Sequence, residues 1–272
     1  MLIVNYAAAV SALIGMCSGL SVRDYATPNK CLTNGKRCPL EAFSCSSPGV
    51  DSCCTPKYGM MVMAYSWSHQ IGPSDKFTIH GLWPNYCNGT YLPNAGCDAT
   101  RVYPAVGDMV KKVSKETYDF MDKYWLANNG DNDSFWTHEW NKHGTCLNTI
   151  DPNCYTVKSY SPEKNVVDYF DKAIALYQKY DFTTILAKHN IVATANTTDS
   201  SITKKYTKKQ VTDAIKAETG FESVVYCSKG TLSEIWMYFY MRNNDEYVYT
   251  PFTKGEDKCD NFTFIKKYSQ PY

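Results

Sequence analysis

Phe77-Thr-Ile-His-Gly-Leu-Trp-Pro84 and Phe135-Trp-Thr-His-Glu-Trp-Asn-Lys-His-Gly-Thr-Cys146 are the two stretches on which the reading of this chain turns. The first predicts a strand over residues 76–82, with His80 at its end on a rigid element. The second predicts a helix over 136–146. On that helix Glu139 and His143 are four apart, as are His138 and Lys142, so the four are expected to share roughly one side. The chain has five histidines, and three of them (His80, His138, His143) lie in these stretches. Imidazole can both give and take a proton near neutral pH. Two imidazoles beside a carboxylate and an ammonium suit acid–base chemistry on a phosphodiester and need no metal. A lone histidine is more often structural, and Glu139 with Lys142 alone could be a solvated helix face. Three of five histidines in two such stretches tip the balance toward chemistry.

Outward from these segments the pattern mixes strands and helices. Residues 23–57 are rich in Cys, Pro, Ser and Gly and read as a disulfide-pinned irregular arm. Strands are expected over 58–67, 222–227, 232–242 and 246–250, with Asn243 to Asp245 as a hairpin turn. Residues 84–98 read as a cysteine-closed loop, 103–113 and 117–125 have helical spacing, and 128–133 form a polar loop. Ser161-Pro-Glu opens a helix with a cap and a proline at the first position, and Val166, Val167, Phe170, Ile174 and Tyr177 give it an apolar face. Thr207-Lys-Lys-Gln210 is a capping box for a helix ending near Gly220. No internal repeat or domain-splitting linker occurs. The fold class expected is α+β: one disulfide-stapled domain with a central antiparallel sheet and several helices.

Composition narrows the partners. The 272 residues are 44% hydrophobic and 14% aromatic, as in a packed globule. The 22 tyrosines favour a substantial sheet. A formal net charge of +1 excludes a broad basic field as the means of holding nucleic acid. If the substrate is nucleic acid, its binding must be local, by stacking and a few charges, and to single strands.

Residues 1–22 carry no charged side chain, and Leu2–Val4 with Ala7–Ile14 lead to small residues at Ser18 and Gly19. This reads as a secretory signal over 1–19, with the mature domain at 20–272. The alternative, an uncleaved anchor, is disfavoured because Asn5, Ser11 and Gly15 break a stretch that is short for a span. Of twelve cysteines, Cys17 leaves with the signal, and the density of the rest in a secreted chain points to disulfides. No Cys-x-x-Cys pair supports zinc. Adjacent Cys53 and Cys54 should bond to different partners, and the odd count leaves Cys31 over. Asn88, Asn132, Asn196 and Asn261 head N-glycosylation sequons.

The two histidine stretches closely resemble the active-site segments of the ribonuclease T2 family of secreted and vacuolar RNA endonucleases. The likeness continues through Cys53-Cys54, Asp151 to Cys154, Val166-Val-Asp-Tyr-Phe170 and Gly230-Thr-Leu232. It covers residues 36 to 259 or so and is nearest to the fungal-type members. The resemblance implies that His143 is the base, His80 the acid and His138 a phosphate holder, with Glu139 and Lys142 stabilising the transition state. The product would be a 2′,3′-cyclic phosphate, hydrolysed slowly to a 3′-phosphate. Trp83 and Tyr91 would stack on a base, with core packing a real competitor for Trp83, and Phe135 would line a second base pocket. Trp136 and Trp140 are assigned to structure. Asn85 stands where fungal-type members carry Asp for base recognition, and Ser66 where a longer amide is common, so low base specificity is expected. The implied disulfides are Cys38–Cys54, Cys45–Cys87, Cys53–Cys154, Cys97–Cys146 and Cys227–Cys259. The enzyme implied is a monomer that needs no metal or cofactor. It would act on single-stranded RNA outside the cell or in a vacuolar or lysosomal lumen, unattached to a membrane once the signal is removed.

Two rival readings compete with this one. His138-Glu139 matches the start of His-Glu-x-x-His, the zinc-hydrolase motif, but position 142 is lysine, and an ammonium there would repel a divalent cation. A secreted glycoprotein that binds RNA or a receptor without cleaving is the other. Every expected catalytic position is present, which weighs against it.

Overall fold

Met60-Met-Val-Met-Ala-Tyr-Ser66 is apolar at nearly every position, and the strand it forms, β1 (Met60–Ser66), is buried on both faces. Met61, Met63 and Tyr65 face the main core, while Met60, Val62 and Ala64 join a smaller cluster on the other side. The computed structural model describes residues 38–39, 41–196, 199, 202–244, 246–255 and 260–268. The signal segment and Cys31 lie outside the described residues.

Beside β1 runs β2 (Thr78–Asn85) on one flank and β5 (Thr231–Arg242) on the other, both antiparallel. β5 is the hub. It also pairs with β4 (Ser223–Ser228), with β6 (Glu246–Val248) and, through one parallel bridge, with β7 (Asn261–Thr263). β3 (Lys205–Thr207) pairs with β7. The path is β2-β1-β5-β7-β3, so β2 is an edge strand.

Helices cover the face that carries Met61 and Tyr65. They are α1 (Val106–Val113), α2 (Lys115–Tyr124), α3 (Asn132–Lys142), α4 (Pro162–Lys179), α5 (Phe182–Lys188) and α6 (Lys208–Thr219). The caps act as the sequence suggests. Ser161 accepts from the Lys164 amide, and Thr207 with Gln210 forms a reciprocal box before a left-handed Gly220. The α+β expectation holds. Three details differ. α3 begins a turn earlier than expected, because Asp131 caps it by accepting from the Ser134 amide, and it ends at Lys142, where 144–146 tighten into a 3₁₀ turn. Asn132 is therefore the first residue of α3 rather than part of the loop before it. The β6 strand stops at Val248, and α5, β3 and β7 were not foreseen: each is too short for its periodicity to show.

Edge strand β2 is closed off by side chains. The carbonyls of Phe77, His80 and Leu82 accept from the Tyr177 hydroxyl (2.7 Å), the Trp125 indole (2.9 Å) and the Tyr169 hydroxyl (2.9 Å). These donors satisfy backbone acceptors that no further strand reaches, and they cover an edge that could otherwise pair with another chain. The Trp136 indole in turn donates to the Trp125 carbonyl (2.7 Å), so α3 and β2 are linked through a buried tryptophan.

Four disulfides join Cys38–Cys54, Cys45–Cys87, Cys53–Cys154 and Cys97–Cys146. Cys227 is also disulfide-bonded; Cys259, its expected partner, lies outside the described residues. Cys97–Cys146 ties the turn after α3 to the loop after β2. Buried Arg101 reinforces that point, donating to the Thr145 carbonyl (2.7 Å), Asp151 (2.6 Å) and Asp98 (2.8 Å). Trp125→Phe removes the donor to the His80 carbonyl and leaves a buried acceptor unpaired. Urea unfolding should show a loss of about 2–4 kcal/mol. A cost close to zero would mean the edge does not depend on this bond.

Candidate active site

His80 sits in the middle of β2, not at a strand end. Ala64 pairs with Gly81 and Tyr65 with Ile79, so His80 is the extra residue of a β-bulge. The bulge lets Ile79 and Leu82, three apart, both face the helices, where a regular strand would put them on opposite faces. It also re-aims the histidine. The His80 ring meets Trp83 edge-to-face at 4.9 Å and lies 5.7 Å from Phe135 of α3.

The two segments meet at one hydrogen bond. The Trp83 indole donates to Oε2 of Glu139 at 2.8 Å. A Cβ at position 81 would fall 2.1 Å from that Oε2 and 2.2 Å from the indole nitrogen, so only glycine leaves room for the bond. His143, the C-cap of α3, stacks on the same indole at 5.3 Å and 29°. Trp83 is thus a wall with His80 at its edge and His143 on its face. His138 lies 6.3 Å from His143, ring to ring.

The four α3 groups do not share one solvated side. Glu139 is 1% exposed, beneath the site, whereas His138 is exposed and Lys142 and His143 are partly so. Neighbours on a helix are turned about 100° apart, and Glu139 is turned inward to reach Trp83.

Burial and charge push these groups apart. Burial raises the Glu139 carboxyl to about 7, against the pull of His80, the Trp83 bond and Lys142. His143 is held well below the usual histidine value by burial, then by the charges of Lys142, His138 and His80. His138 is lowered by burial, Lys142 and His80. For His80 burial works against the charge, but the hydrogen bond and charge of Glu234 and the charge of Glu139 outweigh it and Lys142, so its pKa is raised.

Glu234 was not foreseen. Its Oε1 lies 2.9 Å from Nδ1 of His80, and its Oε2 accepts from the Trp236 indole at 2.6 Å. The signal was present as the period-two alternation of β5, which puts Glu234 and Trp236 on one face and Ile235 and Met237 on the other. What the sequence lacks is any sign that this face borders β2's histidine.

The other expected positions divide. Tyr91 is 63% exposed on the loop after β2, and its ring is open to a ligand. Trp83 is 6% exposed, with His143 on its face and Trp236 against it at 4.9 Å. This packing takes up much of its ring surface. Asn85 is buried at the end of β2, opposite Met60. Asn88, Asn196 and Asn261 are exposed, while Asn132 is partly buried and accepts from the Ala127 amide at 2.9 Å. His138, Glu139 and His143 could each place a ligand atom within 4.8 Å of the others. The set suits a metal poorly, because Glu139 already accepts from Trp83 and the Lys142 ammonium raises the cost of a second cation.

A strand-borne and a helix-borne imidazole on one indole, with a buried carboxyl bonded to that indole and a lysine on the same helix, make a site suited to acid–base chemistry on an α+β frame. Comparison with known proteins gives the family. A profile of the ribonuclease T2 family matches residues 50–259. Ribonuclease Rh of Rhizopus niveus is 38% identical over 219 residues, 80% of this chain and 87% of that protein. Ribonuclease T2 of Aspergillus oryzae is 40% identical over 215 residues, 76% of this chain and 74% of that protein. The crystal structure of Actibind, described as a T2 ribonuclease, superposes with a TM-score of 0.74 at 33% identity, covering 84% of this chain and 96% of that one. The chain belongs to the ribonuclease T2 family and is an endoribonuclease.

Gly81→Ala should force Trp83 and Glu139 apart. We expect a loss of about 1–3 kcal/mol in stability and of at least about tenfold in kcat/KM, a barrier increase of about 1.4 kcal/mol. Wild-type values in both assays would show that the bond tolerates a methyl group. Glu139 has a folded pKa of about 7, above its ordinary 4.5, so its proton stabilises the fold fully below the lower value. That stabilisation is lost as pH rises through 7. Melting temperatures of wild type and Glu139→Gln should therefore diverge between pH 5 and 8, the wild type falling more. Parallel curves would show that Glu139 titrates normally.

Proposed function

We propose that this endoribonuclease cleaves single-stranded RNA by metal-independent transphosphorylation, leaving a 2′,3′-cyclic phosphate. The observation that carries this is the placing of two imidazoles, His80 and His143, against the edge and the face of one indole, where burial and charge drive their proton affinities in opposite directions. Sites whose environments drive two titratable groups apart assign acid and base. His143, kept neutral, takes the proton of the 2′-hydroxyl as its oxygen attacks phosphorus. His80, kept charged, gives a proton to the departing 5′-oxygen. Each transfer is balanced, and the ring states are the reverse of the starting ones. Slow hydrolysis of the cyclic ester to a 3′-phosphate restores them, with His80 as base toward water and His143 as acid.

Charge on the phosphorane is met by Lys142, while exposed His138 holds the phosphate. Glu139, protonated on the acid side of 7, is a hydrogen-bond donor there and adds no anion beside the substrate. With a net charge of +1, the grip on RNA is local. Tyr91 is the open ring for a first base, Asn85 supplies a donor and an acceptor at the strand end below that loop, and Phe135 borders a second base beside His80. This supports low base specificity. Among the described residues no helix is long and apolar enough to cross a membrane. The signal-like residues 1–19, the disulfides and the exposed sequon residues support a secreted or vacuolar monomer, glycosylated at Asn88, Asn196 or Asn261.

RNA incubated with the protein in EDTA should yield oligonucleotides with cyclic-phosphate ends. Intact RNA would favour a binder without catalysis, and activity restored only by zinc a metal enzyme. His80→Ala and His143→Ala should each lose about 10³-fold or more in kcat, that is about 4 kcal/mol of barrier. The pH profile of kcat/KM should have its acid limb below the ordinary histidine value, set by His143. Its alkaline fall should lie above the ordinary histidine value, where His80 loses its proton, with Glu139 losing its own near 7. An acid limb above 6.5 would contradict the assignment of His143 as base.

A further inference from the structure

We infer that Glu234 of β5 is the positioning residue of the general acid, fixing the His80 ring through Nδ1 so that Nε2 is the nitrogen that hands its proton to the leaving oxygen. The inference rests on the reading of His80 as the acid and goes beyond it, since neither histidine segment contains Glu234.

Glu234 is aligned with Ser66 of β1, which is aligned in turn with Thr78 of β2. The carboxylate therefore reaches across β1 to the bulged histidine from a strand held on both sides. Its two oxygens have separate tasks. Oε2 accepts from the Trp236 indole at 2.6 Å, which fixes the plane of the carboxylate. Oε1 is left for Nδ1 of His80 at 2.9 Å. An ionised carboxylate can only accept hydrogen bonds, so Nδ1 must carry its proton. That settles the tautomer of neutral His80 and leaves Nε2 as the nitrogen that gains and loses a proton. The bulge makes this restraint necessary, because its residue lacks the regular cross-strand pairing that would aim the side chain. Trp236 also packs on Trp83 at 4.9 Å and on Tyr226 at 4.3 Å, so the carboxylate's own support is locked.

The charge environment of His80 comes from two elements. β5 contributes Glu234; α3 contributes Glu139, Lys142, His138 and His143. Glu139 is driven toward its neutral form by burial, while the other three α3 groups are cationic when protonated. Glu234 is thus the carboxylate that bonds the His80 ring from β5 and offsets the charge of Lys142.

Glu234→Gln tests this with little change in shape. With Trp236 donating to the amide oxygen, the amide NH₂ faces Nδ1, which suits the wrong tautomer and disfavours the imidazolium. The His80 ring should titrate about one unit or more lower by NMR. kcat should fall by about 10–100-fold at pH 7 with KM changed by about threefold at most, and the alkaline limb should move to lower pH. Glu234→Asp should recover part of the loss, and Trp236→Phe should shift the limb the same way by less. The NMR titration needs no RNA. If wild type fails to cleave RNA yet the His80 titration shifts in Glu234→Gln, the functional reading fails and the coupling stands. If Glu234→Gln is folded and both the His80 titration and the alkaline limb match wild type, the inference is wrong. A uniform loss of kcat with neither shifted would likewise overturn it, since a merely structural role predicts that.

Discussion

The hydrogen bond from the Trp83 indole to Glu139, passing over Gly81, is the constraint around which this molecule is arranged. It joins an edge strand to a helix that arrives fifty residues later in the chain, and it draws an ionisable carboxyl into a site where it is 1% exposed. Burying a carboxylate without compensation is expensive. The structure meets that cost by letting the group keep its proton up to about pH 7 and by placing Lys142 and His80 nearby. Every other catalytic side chain is located relative to that bond. His143 stacks on the donor indole, His80 meets its edge, and the glycine between them cannot be replaced without breaking it.

Holding β2 in place is the work of residues outside both histidine segments. A sheet edge is usually mobile and prone to pair with other chains. Here Tyr177, Trp125 and Tyr169 reach from the helical layer to three of its carbonyls, and Trp136 passes the connection on to α3. The tyrosine-rich composition therefore has a physical sense beyond strand propensity: these rings fill the helix–sheet interface and spend their hydroxyls on backbone acceptors. Arg101 and the Cys97–Cys146 bridge do the same for the far end of α3, so the proposed acid and base are carried by elements pinned independently.

Much of this was legible in the sequence, and what was not has identifiable causes. The caps at Ser161 and Thr207, the buried run of β1 and the histidine segments are local patterns, written within a few residues. The bulge at His80 is not, because it depends on the register between β1 and β2, and the strand appeared to end where it in fact folds outward and continues. The inward turn of Glu139 is likewise a tertiary fact: helical spacing placed it with His143, but only the approach of Trp83 decides that it is buried. Glu234 lies more than 150 residues from His80, in a strand whose alternation was clear and whose neighbour was not. Trp83 is half legible: its segment marks it as part of the site, but the rings of His143 and Trp236 that pack on it come from elements distant in sequence.

The same arrangement explains how a chain with almost no net charge can act on a polyanion. A field spread over the surface would be screened within about 8 Å at physiological ionic strength, and this chain does not rely on one. Lys142, His138 and His80 stand close enough at the site to act on one another's charge. That closeness has a chemical consequence as well as a binding one. Burial and then the same positive charges hold the His143 ring toward its neutral form, which suits the base role proposed for it. His80 would suffer the same loss of charge if it were surrounded only by α3. Its hydrogen bond to Glu234 of β5 offsets that loss. The proposed acid and base are thus set apart by the groups that act on each ring, a carboxylate of β5 on His80 and the cationic groups of α3 on His143.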